Sequence, residues 1–485
     1  MNVHRLVSVL LITGLAAGMA HAGKAKELPP KWPPHIQVVL DTAKPLKYER
    51  GDRLPLYIWQ AMDPGTLDDK TAEDLVRKLN QRGVGLISSW DPRSRANSLA
   101  QSLTIAKAQK KLDLRVNINA TGCLYSFFNG DKRTAHIDDE GKPFWDDSFG
   151  KHNMGCPFAL DFRRPFVREQ VEFFVNEYKR AGLDIDFIFV DWEIDGPIEF
   201  NKAQATSKRC RHCRDNIKNI DDFDQFQKIL RKLRCQLQLL TYAEPVKLNF
   251  PEALVGNYGV YPHNGYRYWY DYFEYYVDGQ PYQADQHAKY RKWYPEFPET
   301  GYTFAMPVVY TWCRIFDWYD YADTDYRWFY NMLLVASNAG EHTPAEIPII
   351  SFVHWHTIGS RPSGGQAKQF SGEEYQELLW HMLLRGTDTF FIWCGRQEAA
   401  KEIQLVHEVY AEAQQFGQFL SKGTPINFNV PKQPETVISG LKLPNRVLIR
   451  RTDFKKPQGP IEITVGGTKI KVAATPKRCQ IISLR

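Results

Sequence analysis

The chain has 485 residues, with 62 Lys and Arg against 56 Asp and Glu, a net charge of +6, and 43% hydrophobic residues. That is too long for one ordinary domain and apolar enough for a large buried core, which excludes wholesale disorder. So small a charge gives nucleic-acid binding no support and tolerates an acidic partner without requiring one.

At the N-terminus, Arg5 precedes an apolar run over residues 6–19, and Ala20-His21-Ala22 follows. This reads as a secretory signal peptide, residues 1–22, cleaved after Ala22. The run is too short to cross a bilayer, and no later segment is long and apolar enough. The expectation is a secreted or periplasmic protein with no membrane span. Export would permit disulfides among the 8 Cys, but spacing alone does not give their pairing.

Residues 23–52 are rich in Lys and Pro and read as an irregular lead-in. From there the chain alternates short apolar or β-branched runs with amphipathic stretches, the pattern of βα units around a parallel sheet. The strands fall at residues 54–62, 84–90, 114–120, 185–190, 253–258, 302–310, 347–353 and 389–393. Ala72, Leu75, Val76 and Leu79 share one helical face after the first strand. Val167, Val171, Phe174, Val175 and Tyr178 share one after the third. Ser371-x-x-Glu374 has the capping-box spacing that opens a helix. Eight such units predict a (β/α)8 TIM-type barrel over residues 53–423. An open doubly wound sheet is the alternative, but no Gly-rich phosphate loop follows the first strand. Residues 424–485 hold short strand-like pieces between turns such as Gly466-Gly467, and predict a small all-β, sandwich-like domain.

In a barrel the chemistry sits where strands end. The fourth strand ends Phe187-Ile188-Phe189-Val190-Asp191-Trp192-Glu193. Residues two apart on a strand share a face, so Asp191 and Glu193 point into one pocket. Crowded carboxylates raise one another's pKa, and a raised carboxyl can donate a proton near neutral pH. Cleavage of a glycosidic bond uses such an acid beside a group that steadies the transition state. A cation site or a solvated acidic loop is the competing reading.

His354 and His356 alternate at the end of the seventh strand and can line the same mouth. Trp312, Trp318, Tyr319 and Tyr321 follow the sixth strand as a sugar-stacking rim or an apolar lid. Cys210-x-x-Cys213, with His212 between and Cys235 beyond, has metal-ligand spacing, but the remaining ligands are not identifiable; a local disulfide or a reduced pair fits equally. No metal and no cofactor are assigned.

Val190-Asp191-Trp192-Glu193 resembles the strand-four motif of hyaluronidases and, more distantly, that of chitinases. Three further segments are similar to the hyaluronidase pattern in the same chain order: Pro251-Glu252-Ala253-Leu254-Val255-Gly256-Asn257-Tyr258-Gly259-Val260-Tyr261-Pro262, Met306-Pro307-Val308-Val309-Tyr310 and Phe390-Phe391-Ile392-Trp393. Where that family continues Pro-Asp-Cys-Tyr-Asn, this chain has Pro262-His263-Asn264-Gly265. The resemblance implies a retaining glycoside hydrolase with Glu193 as general acid/base and Asp191 stabilising a substrate acetamido nucleophile. It also implies Tyr258 and Tyr310 as hydrogen-bonding groups and Trp393 as the pocket floor. Two alternatives stand beside it. One is a retaining glycosidase of neutral or sulfated glycans with a carboxylate nucleophile of its own, and the other is a non-catalytic carbohydrate-binding barrel.

Overall fold

The computed structural model describes residues 32–124, 130–146, 153, 155–159, 162–192, 203–263, 276–277, 280–281, 297–311, 321–357, 368–395, 397–456 and 459–484. The predicted signal peptide lies outside these residues.

Eight parallel strands form one sheet: β1 (Leu56–Met62), β2 (Val84–Ser89), β3 (Asn117–Asn119), β4 (Phe187–Val190), β5 (Leu254–Asn257), β6 (Val308–Tyr310), β7 (Ile350–His354) and β8 (Thr389–Ile392). Their order is β6-β7-β8-β1-β2-β3-β4-β5, a cyclic permutation of chain order. Only a closed ring of successive βα units gives that order. The remaining gap is bridged by the chain entering β6: Thr303 N–H donates to Val255 O (2.8 Å) and Met306 N–H to Val260 O (3.0 Å). The predicted TIM-type barrel is therefore observed. The sixth strand is shorter than expected, because residues 302–307 contribute only an isolated bridge from Ala305 to Ile349.

Helices α2 (Asp69–Asn80), α3 (Arg95–Lys111), α4 (Arg163–Arg180), α5 (Phe223–Gln238), α6 (Thr324–His342), α7 (Gly372–Leu383) and α8 (Ala399–Ala413) pack outside the ring. The predicted faces of α2 and α4 are the buried ones. Between β5 and β6 the only helix among the described residues is a single 3-10 turn, Phe297–Thr300, and 264–275 and 282–296 lie outside them. Within the 23–52 lead-in the structure holds a helix the sequence reading did not expect, α1 (Pro34–Thr42). Pro34 occupies its first turn, where a missing N–H costs nothing. Ile36, Val39 and Leu40 then fall on one buried face, so tertiary packing stabilises a segment whose Lys and Pro content suggested irregular chain.

The barrel interior is aromatic. Tyr57 stacks on Phe187 (centroids 4.2 Å apart), and Phe187 on Phe304 (5.2 Å). Nearer the strand C-termini, Phe391 packs edge-on against Phe189 (4.6 Å) and Phe352 (4.9 Å). Gly256 is what admits Phe304: a Cβ there would stand 2.5 Å from the ring. Tyr242 reaches in from the helical layer and donates to Ile188 O (2.9 Å) and Gly256 O (3.2 Å), pinning β4 against β5.

The C-terminal strands β9 (Thr424–Pro425), β10 (Thr436–Leu443), β11 (Arg446–Asp453) and β14 (Cys479–Ser483) form an antiparallel sheet, and β12 (Ile461–Val465) pairs with β13 (Thr468–Val472) as a hairpin. Alternation along β11 serves two layers. Leu448 packs with Leu384 and Phe419 of the barrel, while Val447 and Ile449 pack with Val465, Ile470 and Val472 of the hairpin.

Candidate active site

Strand β4 sorts its side chains strictly by parity. Phe187 and Phe189 join the cluster that fills the barrel, whereas Ile188, Val190 and Trp192 join the one beneath the outer helices. Asp191 takes the next inward place, at the C-terminal mouth, and is half-buried. Its backbone is held from both sides. The Asp191 N–H donates to Thr121 Oγ1 (2.8 Å). Asn257 locks the next residue in both directions, accepting from Trp192 N–H (2.9 Å) and donating to Trp192 O (3.1 Å). Because Trp192 is anchored in the helical layer, Asp191 is fixed facing the opposite way. Glu193 and Trp312 lie outside the described residues.

The structure brings the other predicted residues together. Tyr258 and Tyr310, both buried, stand with ring centroids 6.4 Å apart. Tyr310 stacks on Trp393 at 5.8 Å and 30°. His354 meets Trp393 edge-on at 4.8 Å and lies 5.7 Å from Tyr310. His356 is more exposed, 6.1 Å from His354, with Nδ1 3.8 Å from Glu398 Oε1. Strands β5 to β8 thus present a continuous aromatic wall around the mouth that Asp191 borders. Tyr321 belongs elsewhere. Its ring packs on Tyr326 and Tyr330, and its hydroxyl donates to Lys432 O (2.6 Å), so it serves the junction with the C-terminal strands.

Three polar residues at this face escaped the sequence reading. Glu402 of α8 is fully buried and binds His354 Nδ1 (3.0 Å) and Trp355 N–H (2.7 Å). Burial pushes its carboxyl up, against the lowering effect of His354. A carboxylate on one imidazole nitrogen fixes the ring's tautomer and orientation. No sequence signal marks this pair, which spans 48 positions. Asn257 and Asp63 could have been found, since Asn257 ends an apolar strand and Asp63 directly follows one. Asp63 holds φ +49°, uncommon for a non-glycine residue, and accepts from Ser89 N–H and Oγ–H (both 2.7 Å).

No protein family and no curated protein matches the chain. Among solved structures, bee venom hyaluronidase aligns over 60% of this chain and 85% of its own, at 12% identity and a TM-score of 0.31. A GH36 α-galactosidase from Geobacillus stearothermophilus covers 93% of this chain at 10% identity and a TM-score of 0.45. This chain spans only 57% of that enzyme's length. An α-L-fucosidase from Paenibacillus thiaminolyticus covers 81% at 10% identity and a TM-score of 0.35. The chain is thus distantly similar to glycoside hydrolases of more than one family.

Proposed function

We propose that the protein is an exported, retaining glycoside hydrolase that cleaves a glycan containing an acetamido sugar by substrate-assisted catalysis. The observation that carries this reading is Asp191, the next inward residue after Phe187 and Phe189, held at the barrel mouth beside the Tyr258–Tyr310–Trp393 wall. The alternation of the sequence predicts that Glu193 shares its face.

In this reading the sugar stacks on Trp393, and Tyr258 and Tyr310 hydrogen-bond its ring substituents. Glu193 donates its proton to the leaving glycosidic oxygen. The acetamido carbonyl oxygen of the substrate attacks the anomeric carbon, and Asp191 stabilises the charge that develops on the amide. Water then attacks the anomeric carbon, giving its proton to Glu193, so the group that began as acid ends as acid. His354, oriented by Glu402, supplies a fixed imidazole for the substrate's hydroxyl or carboxylate groups.

Purified enzyme assayed on acetamido-containing polysaccharides, then on neutral and sulfated ones, tests the substrate class. On the true substrate, Glu193→Gln should cut kcat by roughly two to four powers of ten with its melting temperature unchanged. Activity near the parent level would remove Glu193 from the role. A covalent glycosyl adduct trapped on any carboxylate of this chain would replace the substrate-assisted route with a protein nucleophile.

A further inference from the structure

Four side chains gather in the loops that leave β3 and β4. His136 belongs to a small hairpin, His136–Ile137 paired with Pro143–Phe144. Cys156 follows in the same excursion. Cys210 caps the short helix Arg211–Asn216, and Cys213 lies within its first turn. All four are buried, and one nitrogen or sulfur from each lies within 4.8 Å of every other. Cys156 Sγ is 3.5 Å from Cys213 Sγ and 3.8 Å from Cys210 Sγ, and Cys213 Sγ is 3.8 Å from His136 Nδ1.

We propose that His136, Cys156, Cys210 and Cys213 bind one Zn(II) ion that ties the β3 and β4 excursions together at the rim of the barrel mouth. The spacing is decisive. Ligands about 2.3 Å (sulfur) and about 2.0 Å (nitrogen) from one tetrahedral ion stand roughly 3.5–3.8 Å from each other. A disulfide would need its sulfurs about 2.05 Å apart, and these thiols are free. Three sulfurs and one imidazole select Zn(II) over Mg(II) or Ca(II), which take oxygen ligands. Four protein ligands complete the tetrahedron and leave no position for a water, so the ion is structural.

The surroundings suit a metal thiolate. The His136 ring stacks on Phe144 at 5.2 Å, which fixes its plane. The approach of Cys156 depends on its neighbour: a Cβ on Gly155 would lie 2.2 Å from Thr134 O, and the Cys156 N–H donates to that same oxygen. His212 is exposed and takes no part, and Cys235 lies outside the cluster. On binding, three thiol protons leave to solvent, the histidine stays neutral, and one Zn(II) joins three thiolates.

The test is metal analysis of the full chain, purified without a histidine tag and dialysed against metal-free buffer. About one zinc per chain is expected, lost in Cys213→Ser and His136→Ala and kept in Cys235→Ala. Cobalt substitution should give the intense visible bands of tetrahedral Co(II) together with thiolate-to-cobalt charge transfer. Wild-type protein that holds no stoichiometric metal, or that shows a disulfide among Cys156, Cys210 and Cys213 by non-reducing mass spectrometry, overturns the proposal. Should the ligand variants fail to fold, zinc content and the cobalt spectrum of the unaltered chain decide it.

Discussion

Trp393 is the residue at which a packing role and a binding role separate most cleanly. It is half-buried, stacked on Tyr310 and edge-on to His354, at the end of β8 where the barrel opens. An ordinary core tryptophan cut to alanine would cost about 3–5 kcal/mol. The part-exposed ring of Trp393 has one side for packing and one for ligand. Trp393→Ala should therefore lower kcat/KM by a large factor while shifting the melting temperature modestly. A large melting shift, with the folded fraction close to fully active, would return Trp393 to the core. Of the residues around it, the strand-end ones were readable from sequence because a polar or aromatic side chain directly after an apolar run marks the mouth of a barrel. Glu402 was not, since it lies on an outer helix and meets His354 only through the fold.

At the level of single elements, the start of α7 departs from its sequence pattern in an instructive way. Ser371 caps the helix as its spacing predicts, accepting from the Glu374 N–H (3.3 Å). The reciprocal half of the box is missing because Asp325 takes the Ser371 N–H instead (2.8 Å). Glu374 is left with a buried Oε2 that has no hydrogen-bond partner. Burial, together with the nearby Glu377 and Asp325 carboxylates, pushes its carboxyl up to about 7. The unfolded chain would ionise this group near about 4.3, so the folded state holds the proton more tightly. The stability tied to that proton is fully present below the unfolded value and is lost as the pH rises through about 7. Glu374→Gln keeps the neutral form at every pH. It should melt with the parent at pH 4 and above it at pH 8, by on the order of a few degrees. Equal melting at both values would mean that water reaches the carboxylate. Strand positions and helix faces were legible because their periods of 2 and 3.6 are local. The choice of Asp325 over Glu374 depends on α6 packing beside α7, which no local pattern records.

For the whole molecule, the all-β character of the C-terminal strands was visible as a change of pattern, but the chemistry that joins them to the barrel was not. The metal cluster was hidden for the same reason: only the Cys210–Cys213 spacing is local, and His136 stands 77 positions from Cys213. The joint is a buried polar seam. Arg450 on β11 forks onto Glu377 of α7, with Nε to Oε2 at 2.9 Å and Nη2 to Oε1 at 2.5 Å, and lies over the Trp380 ring at 4.6 Å. Thr452 also donates to Glu377 (2.7 Å), and His381 bridges Ser439 and Thr452, its imidazole held neutral by burial. Removing one partner of a buried, hydrogen-bonded ion pair strands the other and costs about 3–5 kcal/mol. Glu377→Ala should impose that cost on both layers at once, because Leu384 and Phe419 of the barrel share one cluster with Leu441 and Leu448 of the sheet. The two layers can be followed separately, since residues 424–485 contain no tryptophan. Tryptophan fluorescence reports the barrel, and limited proteolysis within 424–485 reports the sheet. In guanidinium chloride both signals should change together in the parent protein, and in Glu377→Ala both should move to lower denaturant by the same amount. If proteolysis of the sheet came earlier while the fluorescence midpoint stayed in place, the C-terminal strands would be an independently folding unit and the seam only a surface contact.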